Sequence, residues 1–466
     1  MFERSKEFRL QSPEAQRLIV QHPNGAYRLM KLYAKEWLKK VDASNSFSSR
    51  TSHLSSRLPT EEDFVGAQSA LVRLQYVYRL NVSDMYNGDY LGYLGPRLEP
   101  QDAFELGRQA FIDGFLEQSR QWLDLAAEKM REEQSRWPGA QKDSQTLAWT
   151  LALWHSHVSI SRRRRLVGAG RRVDPNSGDV TQLQKELSGE IITNYGHSVR
   201  EWHANMSDLC SRDKQHRVAD IRPYHVCRYK PSLYSPYLQY KEEILSQKPY
   251  ASVFYDIVSD TEISAIKGFI EGKMVRGMVG QGKNSTKAGI RTSDLGWIHD
   301  NDIPVAAALS QKVKSITRLE VDQRAPDGPS SAEALQNPIE EPQLQYAGER
   351  IATFLIYLSD VEKGGHTVFL RSGISVAPLK GMVLFWYNYE PDMNEMQQLT
   401  FHAGCPVLYG HKWICNKWIW TYGNTFRRPC GMSPNATQLD IERLVQSRDT
   451  ARCSTSCARN RVRQRG

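Results

Sequence analysis

The chain has 466 residues, 40% hydrophobic and 24% charged, with a formal net charge of +9 and a sequence pI near 9.0. Such a composition suits a globular protein long enough for two or three domains, and no run of eighteen apolar residues predicts a membrane-spanning helix. The basic excess gathers in Arg162, Arg163, Arg164, Arg165, Arg171 and Arg172 and in a tail around Arg459, Arg461, Arg463 and Arg465; neither stretch carries interleaved aromatics, which argues against a nucleic-acid platform and for a solvated basic surface.

The opening, MFERSKEFRL, has no apolar h-region of a signal peptide. Residues 1–85 read as helical, because Tyr27, Leu29, Met30, Leu32, Tyr33 and Trp37, then Ala67, Leu71, Leu74 and Tyr78, recur at helical spacing. A serine-rich loop over 42–56 separates the two runs. Residues 86–175 predict a helix capped by Asp102 and carrying Phe104, Leu106, Ala110 and Phe111. A second helix carries Phe115, Trp122, Leu123, Ala126 and Met130. The pair resembles a tetratricopeptide unit, and a following unit from Leu147 is degraded by the arginine run. Its aromatics are either core or the lining of a peptide groove suited to an extended polyproline helix. Residues 176–245 read as a connecting region. Residues 246–430 are rich in short β runs, at 251–257, 350–358, 366–369, 381–387 and 412–421, which predicts a sandwich or jelly roll. Residues 431–466 form a polar basic tail.

The segments GERIATFLIYLSDVEKGGHTVF, GMVLFWYN, TFHAGCPVLYGHKWICNKWIW and FRRPC carry the chemistry. Together, from Gly348 to Cys430, they resemble the catalytic domain of the collagen prolyl 4-hydroxylase alpha subunits, which are iron(II)- and 2-oxoglutarate-dependent dioxygenases. The likeness extends through FYDIVSD at 254–260 and IRTSDLGW at 290–297. HPNGAYRLMKLYAKEW, VGAQSALVRLQ and DAFELGRQAF resemble that family's assembly region and peptide-substrate domain. The resemblance implies a helical part followed by a double-stranded β-helix (jelly-roll) dioxygenase domain, with residues 1–85 an assembly region truncated at its start.

Iron chemistry of this kind needs two histidines and one carboxylate on one face of the metal, leaving places for the co-substrate and dioxygen. By motif, the resemblance makes His402 the distal iron histidine and Lys412 the cation that pairs with the far carboxylate of 2-oxoglutarate. The ten-residue spacing lets a strand carry the ligand, turn at Tyr409-Gly410, and return with the cation. The family's other two ligands form a His-x-Asp pair before GERIATF. None of the twelve histidines here begins a His-x-Asp or His-x-Glu, and the stretch from Gln336 to Gly348 holds no histidine. His299 with Asp300 and Asp302 falls in an upstream loop, and His366 reads as a substitution at a small-residue position; neither replaces the pair. An iron shell with one protein histidine holds metal weakly.

The resemblance also implies disulfides Cys210–Cys227 and Cys405–Cys430, an oxidising compartment, and hence the endoplasmic reticulum lumen, with which the sequons at Asn81, Asn205, Asn284 and Asn435 agree. Cys415, Cys453 and Cys457 are left without partners in that pattern. It implies a proline-rich, collagen-like peptide substrate, L-ascorbate, a disulfide isomerase beta subunit and a second alpha subunit. Phe111, Phe115 and Trp122 stand where the family's groove uses tyrosines. Two readings follow: a procollagen-proline 4-dioxygenase alpha subunit, or, because the His-x-Asp pair is missing, a catalytically inactive peptide-binding or assembly subunit.

Overall fold

The computed structural model describes residues 19–37, 59–136, 205–211, 226–235, 237–276, 293–321, 348–393, 396–431, 433 and 435–445. They divide into two units. A helical part precedes a strand-rich part, in the expected order.

The first unit takes in residues 1–213 with the short stretches 362–365 and 405–411. It contains α1 (Pro23–Lys31), α2 (Glu61–Tyr78), α3 (Val82–Asn87), the hairpin β1 (Asp89–Tyr90) and β2 (Tyr93–Leu94), α4 (Pro100–Ile112), α5 (Leu116–Arg136) and α6 over residues 205–210. Local chemistry sets the helix starts. Thr60 and Asp63 exchange bonds in a capping box at α2. Pro100 occupies the first turn of α4, so Asp102 lies inside the helix and is not its cap. Its buried carboxylate accepts from the Glu99 backbone at 2.8 Å and from Lys31 at 2.5 Å. The α4–α5 crossing is close because Gly107 has no side chain: a Cβ there would lie 2.8 Å from Leu123. Ser119 donates to the Gly107 carbonyl at 2.7 Å and pins the crossing.

The sulfurs form a different pair from those expected. Cys210, at the end of the 205–210 helix, is bridged to Cys405, with Cα atoms 5.6 Å apart, inside the range a disulfide needs. Both residues are buried, whereas Cys227 and Cys430 are exposed free thiols. Spacing along the chain does not fix connectivity, since four cysteines allow three pairings. Tyr78 donates to the Pro406 carbonyl at 2.5 Å, and Tyr93 stacks on Tyr409 at 4.5 Å, so Cys405 begins a stretch already held.

The second unit is built on an antiparallel six-stranded sheet of order β15-β8-β12-β5-β4-β3. Its strands are β3 (Val226–Pro231), β4 (Gln239–Gln247), β5 (Tyr250–Tyr255), β8 (Arg350–Tyr357), β12 (Val383–Tyr387) and β15 (Ile414–Trp420). One face packs on α7 (Asp260–Ile270) and α8 (Pro304–Thr317) through Phe254, Ile266, Val313, Ile316, Phe354 and Phe385. The other face gathers Val253, Leu355, Tyr357, Leu384 and Trp386 against Phe369, Ile374 and Val376. These last belong to a three-stranded sheet, β11-β10-β13, made of β10 (Thr367–Phe369), β11 (Ile374–Val376) and β13 (His402–Gly404). Covering both faces explains why β5, β8 and β12 read as unbroken apolar runs. Minor pairs β6 (Val275–Arg276) with β7 (Asp294–Leu295), and β9 (Lys363–Gly364) with β14 (Val407–Tyr409), complete the strands; the second of these pairs counts with the first unit.

Two expected boundaries move. The sheet begins at Val226, inside the expected connecting region, and residues 438–445 of the expected tail are helical. One buried ionic cluster accounts for both. Glu242 on β4 accepts from Arg228 at 2.5 Å and from the Tyr250 hydroxyl at 2.8 Å. Glu442 on the terminal helix pairs with Lys230 and accepts from Arg228 at 2.9 Å. Lys230 is 4% exposed, and its charge is retained because Glu442 and Glu242 more than offset the burial that would lower its pKa. Charges of this kind make β3 and β4 look like solvated linker in sequence.

Two measurements test this account. Peptide mapping under non-reducing conditions is expected to recover a Cys210–Cys405 link, with Cys227 and Cys430 alkylated; recovery of Cys405 joined to Cys430 overturns the pairing. Glu442→Ala leaves Lys230 buried without its nearest partner and is expected to destabilise the second unit by about 3–5 kcal/mol in denaturant titration.

Candidate active site

His402 opens β13, and its neighbours are fixed by register. It lies opposite Phe369, and Gly404 lies opposite Thr367. The His402 ring is set edge-on to Trp386, with centroids 4.8 Å apart, and 5.9 Å from Phe369. Thr400, closing a short 3-10 turn, places its carbonyl 2.9 Å from His402 Nδ1. A carbonyl can only accept, so Nδ1 carries the hydrogen and Nε2 keeps its lone pair, the state a metal ligand needs. The residue is exposed as a whole, yet the rings around its imidazole keep water away and lower its pKa, with the Thr400 bond acting the other way.

Lys412 is reached by a more broken path than a single strand and turn. The chain leaves β13, jogs through Cys405-Pro406 into β14, turns at Gly410 with φ of +96°, and enters β15 after Trp413. Trp413 is tied on both sides, its N–H to Ser359 Oγ at 2.9 Å and its carbonyl to the Leu358 N–H at 2.8 Å. That anchorage aims Lys412 inward. Its Nζ lies 3.4 Å from Thr367 Oγ1 and 5.7 Å from the Tyr357 ring centroid. A Cβ on Gly404 would come within 3.9 Å of it. Tyr357, fully buried, donates to Thr367 Oγ1 at 2.8 Å, and burial keeps its phenol protonated well above the ordinary range. Among the described residues no carboxylate pairs with Lys412, and burial lowers its pKa to about 8.

The structure thus brings His402 and Lys412 to one ladder, His402 two residues along β13 from the Gly404 that faces the ammonium. Tyr357, Thr367 and Trp386 are further site residues that sequence reading passed over. Their signal was present: Tyr357 and Thr367 lie inside the quoted stretch around Gly364, and Trp386 inside GMVLFWYN.

Other candidates fall away. Asp300 accepts from Lys417 and from Ser310, both at 2.7 Å, and Asp302 accepts the His299 backbone N–H at 2.7 Å, so this loop serves the start of α8. His366 is buried just before β10. Among the described residues no three His, Cys, Asp or Glu side chains cluster to hold a metal. The stretch expected to supply the His-x-Asp pair lies outside the described residues, as do Cys453 and Cys457. His402 therefore fits one place in an iron shell, and Lys412 with Thr367 fits a carboxylate.

The aromatic groove is corrected. Trp122 is fully buried, with its Nε1–H given to Gln75 at 2.8 Å, and Phe111 is 9% exposed; both are core of the helical unit. Phe115 is half-buried, 5.2 Å from Tyr76. Tyr76 lines a cavity of about 310 Å³ together with Gln75, Arg79, Leu80, Gln118, Gln121 and Ser207. Period-3.6 spacing marks which rings share a helix face and leaves open whether that face meets core or ligand.

A half-buried ammonium with no acidic partner among the described residues attracts an anion, and the pH at which it stops doing so follows from its pKa. Lys412 is charged below about pH 8 and loses its proton as pH rises through that value. Affinity for 2-oxoglutarate, measured by calorimetry, is expected to hold to pH 7.5 and then fall by up to about tenfold per pH unit, with proton uptake on binding. Lys412→Arg removes the fall below pH 9.5, and a flat profile in the unaltered chain rejects the role.

Comparison with known proteins bears on the same residues. The N-terminal region of the prolyl 4-hydroxylase alpha subunit matches residues 2–92, and the 2OG-Fe(II) oxygenase superfamily matches residues 336–420. Prolyl 4-hydroxylase subunit alpha-2 of Gallus gallus is 30% identical over 88% of this chain and 84% of its own length. Subunit alpha-3 of Bos taurus and of Homo sapiens are each 30% identical over 89% of this chain and 85% of theirs. Among solved structures, the 2OG complex of the viral collagen prolyl hydroxylase of Paramecium Bursaria Chlorella virus-1 aligns over 36% of this chain and 94% of its own at 19% identity. Its TM-score of 0.25 is too low to bear on the fold. By the extent of its likeness to these relatives, the chain belongs to the prolyl 4-hydroxylase alpha-subunit family.

Proposed function

We propose that this chain is the alpha subunit of a procollagen-proline 4-dioxygenase. It hydroxylates proline in collagen-like X-Pro-Gly peptides, using iron(II), 2-oxoglutarate, dioxygen and L-ascorbate. The observation that carries the reading is Lys412, a cation with no acidic partner among the described residues, set beside Thr367 on the ladder that bears His402. Two residues of strand separate Gly404 from His402, about 7 Å, a span that suits a five-carbon diacid held at one end by the ammonium and presented at the other to the histidine. A metal held with the help of His402 would, with co-substrate and dioxygen, supply the oxidant. This chain's own residues do the rest. Lys412 and Thr367 bind and orient the far carboxylate, and Tyr357 holds Thr367 so that its hydroxyl can still donate. Trp386 and Phe369 keep water from one side of His402.

The same reading gives the finer architecture. The two packed sheets of the second unit support a double-stranded β-helix. The Gly107 crossing of α4 and α5 supports a tetratricopeptide-like unit in the peptide-substrate region, and residues 1–85 form an assembly region. The buried Cys210–Cys405 bridge supports residence in the endoplasmic reticulum lumen. A disulfide isomerase beta subunit and a second alpha subunit complete the assembly.

One observation motivates a second reading, a catalytically inactive subunit that holds proline-rich chains: no His-x-Asp or His-x-Glu occurs in the chain. Co-expression with the isomerase, followed by 2-oxoglutarate decarboxylation with a (Pro-Pro-Gly)-type peptide, separates the two. The dioxygenase predicts iron-dependent turnover that His402→Ala abolishes. Lys412→Met is expected to raise the 2-oxoglutarate KM by about 10- to 100-fold, from the loss of a charge-assisted bond. Peptide binding with no turnover, unaffected by His402→Ala, establishes the inactive subunit instead.

A further inference from the structure

His402 is exposed and opens a strand of three residues, so the strand alone does not fix its ring. The ring rests on Trp386, at 4.8 Å and 66° between planes. Trp386 is itself fully buried, and its one polar atom, Nε1–H, donates to Asn388 Oδ1 at 2.8 Å. Asn388 can offer that oxygen because both of its amide hydrogens are engaged elsewhere. Nδ2 donates to Thr353 Oγ1 and to the Arg350 carbonyl, each at 3.1 Å. A flipped amide would set its nitrogen against the indole N–H, so the network leaves one orientation. The Asn388 backbone is held too, its N–H to the Ile351 carbonyl and its carbonyl to the Gln397 N–H, both at 2.8 Å.

We propose that Asn388 is a positioning residue for His402, acting through the indole of Trp386. The inference rests on the reading of His402 as a metal ligand, and it adds what keeps that imidazole in its Nδ1–H form. Without the Asn388 oxygen, the buried indole N–H must seek another acceptor, and the ring tilts. His402 then loses the wall it rests on, and its Nδ1–H bond to Thr400 competes with rotation of the imidazole toward solvent. Asn388 touches neither metal nor co-substrate; its effect is on orientation and tautomer.

The test uses the full-length chain labelled with 15N-histidine, the His402 signals being assigned by their loss in His402→Ala. In the unaltered chain His402 is expected as a single Nδ1–H tautomer. In Asn388→Leu, of similar volume but without an acceptor, both tautomers or exchange broadening are expected. Asn388→Asp, which keeps an acceptor for the indole, is expected to restore the single form. Should the leucine variant not fold, Asn388→Ser, too short to reach the indole, gives the same reading. An unchanged His402 spectrum in whichever of these variants folds overturns the proposal. Cobalt(II) titration then separates this inference from the site reading. Asn388→Leu is expected to weaken metal binding by about tenfold, and to add nothing in a His402→Ala background. An equal loss in both backgrounds means a merely structural role and overturns the positioning. His402→Ala with undiminished cobalt binding overturns the site reading, while the tautomer result still decides the role of Asn388.

Discussion

The site depends on how a small pair of strands is pressed against a large sheet. Phe369, Ile374 and Val376 project from β10 and β11 into the layer formed by Leu355, Tyr357, Leu384 and Trp386. Phe369 is fully buried and meets the Trp386 ring nearly at right angles, 5.4 Å between centroids. Aromatic pairs set edge to face in this way add to the burial of their area. Because β13 pairs with β10, whatever fixes β10 fixes His402. Because Thr367 lies two residues from Phe369 on the same strand, the packing that seats one ring also presents the hydroxyl beside Lys412. Thr367 and His402 are thus polar positions of strands whose apolar positions are held by the core.

Two lysines of the second unit show how burial is used for different ends. Lys230 is nearly inaccessible and lies within a cluster containing Arg228, Glu242 and Glu442. Its charge is satisfied inside the protein, and its role is to join the terminal helix to the sheet edge. Lys412 has a hydroxyl and an aromatic ring near it, and its pKa falls to about 8. A charge left without a counter-charge in a low-dielectric place costs stability, and a bound carboxylate would recover that cost. The same residue type is thus paired with acids in one place and, among the described residues, has none beside it in the other.

Membership of the prolyl 4-hydroxylase alpha-subunit family sets what the site is compared with, and the chain meets that comparison unevenly. Thr367 and His402 stand on described strands, with Lys412 just before β15. The stretch from Gln336 to Gly348 offers the carboxylates Glu340 and Glu341 and no histidine. Metal affinity depends on a whole set of ligands and on what holds them, and the His402 ring is held by the Thr400 carbonyl and the Trp386 indole.

Much of this was legible in the sequence, and the parts that were not share a cause. The apolar runs of β5, β8 and β12 and the helical spacing of α2, α4 and α5 announced their elements, because periodicity records which face is buried. The motifs around His402 and Lys412 put both residues forward, and the structure sets each beside the strand β10. By contrast, β3 and β4 were hidden by charges whose partners come from the terminal helix. The capping box of Ser259 and Glu262 that opens α7 was readable and was passed over. Trp122 and Phe111 read equally as groove or core until Gln75 was seen to accept the indole hydrogen. The pairing of Cys210 with Cys405, the surroundings of Lys412 among the described residues, and the contacts from Asn388 through Trp386 to His402 are distances between residues set apart in sequence. Sequence alone determined which residues have the chemistry for this site. Tertiary structure decided which of them meet, because a side chain's protonation, tautomer and partner are set by neighbours that linear order does not reveal.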